Sequence, residues 1–139
     1  MNFIRFYITV FVILSSSVVF AAGEYQLGFM QSVVVRTAIL SDTVDEYCNA
    51  DITKKRSNMA EYLFKWKWKT TLQQYLDHVG KTAMGMTGHA IKSTIVKEAK
   101  TNIKDFGGCK TKKFKTWAKE ISDTFYESYD LLAVNEPPD

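Results

Sequence analysis

Residues able to do chemistry are few in this chain, and they are unevenly placed. Both histidines fall in one stretch, His78-Val79-Gly80-Lys81-Thr82-Ala83-Met84-Gly85-Met86-Thr87-Gly88-His89, with two of the five methionines. Thioethers and imidazoles are the donors that suit soft Cu(I). The spacing of His78, Met84, Met86 and His89 nevertheless matches no specific metal signature, and methionine in a loop is often a gap-filler. The expectation is that these four side chains do not converge and that the chain needs no cofactor; a copper(I) site is the reading kept behind it. A c-type haem site is excluded, because no Cys-x-x-Cys-His occurs. A Gly-rich phosphate loop, His-Glu-x-x-His and Gly-x-Ser-x-Gly are absent as well. The adjacent carboxylates Asp45 and Glu46 lie at a charged helix end, an ordinary place for acids. These features point to a binding protein rather than an enzyme.

Cys48 and Cys109 are the two cysteines of the chain. Their compartment is read from the N-terminus. Asn2 and Arg5 open a short polar region, Phe6 to Leu14 is almost wholly apolar, and Val19-Phe20-Ala21 offers small residues for cleavage. Residues 1–21 therefore read as a secretory signal peptide cut near Ala21 or Ala22, and the apolar run is shorter than the roughly 20 residues of a span. The expected protein is periplasmic or secreted, and residues 22–139 form a single helical domain. In an oxidising compartment two cysteines are more readily paired than free.

Four amphipathic helices are expected to position these residues. The first covers Leu27 to Cys48, with Met30, Val33, Val34, Thr37, Leu40, Val44 and Tyr47 at three- and four-residue steps. The second covers Asn58 to Val79 and ends at Gly80. Phe64 to Lys69 alternates strictly, a strand pattern, but its flanks favour helix, and the helical reading is adopted. On one helix, Phe64, Trp68, Leu72 and Tyr75 would share a face, leaving Trp66 on another. Lys81 to Gly88 reads as a loop. The third helix spans Ala90 to Phe106, closed by Gly107-Gly108. The fourth spans Lys112 to Leu132, before a loose tail with Pro137-Pro138. The predicted fold is all-α, an antiparallel four-helix bundle, with a Cys48–Cys109 disulfide joining two helix ends at the same pole.

Charge is polarised along the chain. Residues 24–53 carry a net −4, residues 54–119 a net +12, and residues 120–139 a net −6. Lys110, Lys112, Lys113 and Lys115 crowd the start of the fourth helix, where its dipole favours anions. The acids Asp42, Asp45 and Glu46 are the expected internal counterweight. A functional counterweight would be an acidic partner on the pole formed by Lys54, Lys55, Arg56, Lys110, Lys112 and Lys113. Nucleic acid is excluded as the partner, since no recognition motif is present.

The expected function is protein–protein binding, centred on Tyr62 or Trp66. The alternative is anionic envelope lipid or lipopolysaccharide, met by the lysines interleaved with Phe64, Trp66 and Trp68. Small exported helical proteins with one disulfide include periplasmic acid-stress chaperones and immunity proteins that block toxins. The role envisaged is of that inhibitor-, immunity- or chaperone-like kind, although no motif assigns the chain to either group.

Overall fold

Three consecutive valines favour a helix only weakly, because their branched side chains lose rotamer freedom against the preceding turn. What holds Val33-Val34-Val35 in a helix is burial on all sides. In the computed structural model, which describes residues 22–50 and 55–134 with the side chains of the first helix from Leu27 onward, helix α1 spans Ala22–Tyr47. From Ser32 to Ser41 every residue is buried. α1 is therefore a hub and not a helix with one wet face. Two of its buried hydroxyls are satisfied locally: Thr37 donates to the Val33 carbonyl at 2.6 Å and Thr43 to the Ile39 carbonyl at 2.7 Å, whereas the buried Ser41 hydroxyl has no partner among the described residues.

The described regular structure is entirely helical: α2 is Arg56–Trp68, α3 is Leu72–Val79, α4 is Gly88–Asp105 and α5 is Lys112–Val134. α2, α4 and α5 all pack on α1, and α3 packs on α4. Cys48 and Cys109 are bonded, with Cα atoms 5.8 Å apart, so the end of α1 is tied to the start of α5. The expected signal peptide, Lys54 and the last five residues lie outside the described residues.

The single helix expected from Asn58 to Val79 is corrected to two, which makes five helices among the described residues rather than four. Lys69 takes a left-handed conformation (φ 54°) and closes α2, with its N–H on the Phe64 carbonyl. Thr71 then starts α3 with a capping box: its hydroxyl accepts from Gln74 N–H, and the Gln74 side chain accepts from Thr71 N–H. The Glu61 carboxylate takes the Leu72 N–H at 2.7 Å. The break has a clear packing consequence. On one straight helix Phe64 and Tyr75 would stand roughly 16 Å apart along the axis. Here their ring centroids are 5.2 Å apart, and Phe64 also meets Trp68 edge-on at 5.1 Å. The Tyr75 hydroxyl reaches Ser32 of α1 at 2.9 Å, and burial pushes its phenol up to about 12.

The loop expected over Lys81 to Gly88 is also corrected in part. Gly80–Met84 continues α3 as one π-helical turn, ended by Gly85 at φ 62°. Gly80 and Gly88 are required by space: a Cβ on Gly80 would strike the Met86 carbonyl, and one on Gly88 would lie 2.6 Å from the Asp77 nitrogen. α3 and α4 interlock through this junction, and Asp77 accepts the Gly88 N–H at 3.1 Å.

Candidate functional site

α2 and α5 run side by side in the same direction, joined by two cations. Near the start of α2, Arg56 donates to Asp45 of α1 and to Ser122 of α5, both at 2.9 Å, and its guanidinium lies 5.6 Å from the Tyr126 ring centroid. Near the end of α2, Lys67 donates to the Leu132 carbonyl at 2.9 Å, where the negative end of the α5 dipole welcomes it. Between these ties the seam exposes aromatic rings. Tyr62 is 71% exposed, Trp66 is 58% exposed, and Tyr126 is 43% exposed. Tyr129 is half-buried in the same seam; burial, then Tyr62, then the Asp130 charge, raises its phenol above the ordinary value. The Lys67 ammonium sits 5.7 Å from the Trp66 centroid, and Lys69 donates to the Trp66 carbonyl.

The cationic pole takes a different form from the one expected. Glu46 pairs with Lys55 at 3.1 Å and Asp45 with Arg56 at 2.9 Å. Asp42 accepts the backbone N–H groups of Arg56 and Ser57 and the Ser57 hydroxyl, and so caps α2 from across the turn. The acids at the end of α1 thus answer α2, and the expected pairing with the lysines of the last helix is corrected. Lys110, Lys112 and Lys113 are exposed and make no ion pair among the described residues. Of the cations expected to meet a partner, Arg56 is largely taken up by Asp45 and Ser122, while Lys55 meets Glu46 in an exposed surface pair.

In the His/Met stretch, His78 and His89 are exposed, while Met84 and Met86 are partly buried against the core. Among the described residues no group of three or more His, Cys, Asp or Glu is placed to hold a metal ion.

A second feature was not anticipated. Between α1, α2, α3 and α4 lies an open cleft of about 680 Å³. Ile39, Leu72, Leu76 and Val96 provide its apolar surface, and Lys92 and Lys100 stand on its α4 wall. The sequence held one half of this signal, because Lys92, Val96 and Lys100 recur at four-residue steps along one face of α4. The other wall comes from three separate helices, which no spacing reveals.

No protein-family model matches this chain, and no curated protein or solved structure is similar enough to count as a match. Among the described residues no helix is long and apolar enough to cross a membrane.

Proposed function

We propose that this is an exported binding protein that acts through protein–protein contact on the α2–α5 seam. The observation that carries the reading is the pair Tyr62 and Trp66, one turn apart on α2 and exposed, beside Tyr126 and Tyr129 of α5. Interface centres are enriched in such aromatics, and a few of them carry most of the binding energy. Arg56 and Lys67 bridge the two helices at either end of the seam, which supports a shared surface for a partner. Export is supported by the signal-like N-terminus and by the Cys48–Cys109 bond, which belongs to oxidising compartments. The inhibitor-, immunity- or chaperone-like role is the form such binding takes.

Lipid binding through a Lys/Trp face is the weaker reading. Of its three aromatics, Phe64 is fully buried and Trp68 partly so, which leaves Trp66 as the single exposed anchor. The test compares affinity capture from periplasmic extract by the mature protein and by Trp66→Ala. The expected result is a specific polypeptide whose affinity falls by about 2 kcal/mol or more in the variant. Binding to anionic vesicles that salt abolishes, with no polypeptide dependent on Trp66, would support the lipid reading instead.

A further inference from the structure

We propose that the cleft between α1, α2, α3 and α4 is a binding site for a small amphipathic anion, a carboxylate or phosphate head on an aliphatic body. Its volume, about 680 Å³, falls within the range typical of small-molecule sites, roughly 300–1,000 Å³. The sign of the ligand follows from which charges in the cleft are already committed. Three acids line it, and each is occupied by the fold. Asp42 caps α2 through two backbone N–H groups and the Ser57 hydroxyl. Glu46 holds Lys55. Glu61 holds Lys65 at 3.3 Å and takes the Leu72 N–H, the first of α3.

Lys92 and Lys100 are different. Both are exposed on the cleft wall, and neither has an acidic partner among the described residues. They stand eight residues apart on α4, roughly 12 Å along the helix axis. Val96 lies between them, facing Leu72, Leu76 and Ile39 across the cleft. The acids have their acceptor sites filled, and the charged side chains left to meet a ligand are two lysines that border an apolar surface. A small inorganic anion would leave that surface wet, and a neutral aliphatic molecule would gain nothing from the two ammonium groups. An amphipathic anion satisfies both. This site is separate from the α2–α5 seam, and Trp66 takes no part in it.

The test is calorimetric titration of the full-length mature, disulfide-bonded protein with dodecanoate and with dodecyl phosphate, each below its micelle concentration. Dodecyltrimethylammonium and inorganic phosphate are the controls. One-to-one binding of a dodecyl anion is expected, with no comparable binding of either control. Tighter binding of dodecanoate or of dodecyl phosphate assigns the head group. The variant Lys92→Ala/Lys100→Ala removes two exposed side chains and keeps the fold, which circular dichroism checks. It should weaken the anion by at least about tenfold, the loss expected when a charge-assisted contact disappears. Trp66→Ala should bind the anion as the wild type does. Equal binding of the cationic amphiphile, equal binding of inorganic phosphate alone, or unchanged affinity in the double-lysine variant would each overturn the proposal.

Discussion

Arg36 and Glu98 show what one buried charge does at the scale of a residue. Arg36 is 5% exposed in the hub helix, and its guanidinium meets the Glu98 carboxylate at 2.5 Å. Burial raises the Glu98 carboxyl above its ordinary value, and the attraction and hydrogen bond of Arg36 offset this only in part. A folded-state value above the unfolded one means that the folded chain holds the proton more firmly. The contribution of this group to stability is therefore greatest at pH below the unfolded value and falls as pH rises through the folded one. Glu98→Gln should flatten that part of the pH profile, measured by urea unfolding between about pH 4 and pH 7. An undiminished slope in the variant would show that other groups carry it. Glu98→Ala should cost about 3 kcal/mol, because it removes one partner of a buried ion pair. Legibility at this scale was mixed. Helical spacing set Trp66 apart from the Phe64 face, and Trp66 and Tyr62, the two expected interface centres, are both exposed. Lys55 and Arg56 looked free because their partners, Glu46 and Asp45, sit across a turn whose closure no periodicity records.

At the scale of elements, the α2–α3 break and the α3–α4 junction set opposite demands on their backbones. Gly88 stands where a Cβ would meet the backbone of Leu76 and Asp77, so neither neighbour yields by rotating a side chain. Gly88→Ala should destabilise the fold by about 2 kcal/mol or more and loosen α3 from α4, read as faster amide exchange in α3. Lys69 presents the reverse case, a lysine in the left-handed conformation that ends a helix. Lys69→Gly should stabilise by about 0.5–1 kcal/mol in thermal or urea unfolding, since glycine adopts this conformation without a Cβ penalty. This pair also explains which helices were legible. α4 and α5 were readable because their apolar residues recur at regular steps and Gly107-Gly108 stops α4. The α2 stop was missed because lysine is not a stop signal, although the Thr71-Leu72-Gln73-Gln74 capping box lay in the sequence as a start signal. α1 was read as amphipathic from its repeating apolar steps. The near absence of charge from Leu27 to Ser41, with Arg36 the one exception, was the sign that it would be enclosed on every side.

Across the whole molecule, one covalent link opposes an electrostatic arrangement that favours fraying. Lys110, Lys112, Lys113 and Lys115 lie at the start of α5, against its dipole, exposed and without acid partners among the described residues. The Cys48–Cys109 bond ties this same end to α1, whose own acids are used in holding α2. Residues 61 apart in sequence are joined, so the bond removes a large loop from the unfolded ensemble, a contribution of about 4 kcal/mol. The lysine cluster adds a second, salt-sensitive term that the bond restrains. The paired variant Cys48→Ser/Cys109→Ser should therefore lose more than the ~4 kcal/mol of loop closure at low ionic strength, with a fall in Tm of roughly 15 °C or more. The deficit should shrink when salt screens the lysines from one another and from the helix end. Urea unfolding of both proteins at low and high ionic strength separates the terms. A salt-independent deficit would assign the whole effect to loop closure. A deficit below about 1 kcal/mol would mean that the reduced chain stays compact across this span even when unfolded, leaving the bond little entropy to remove.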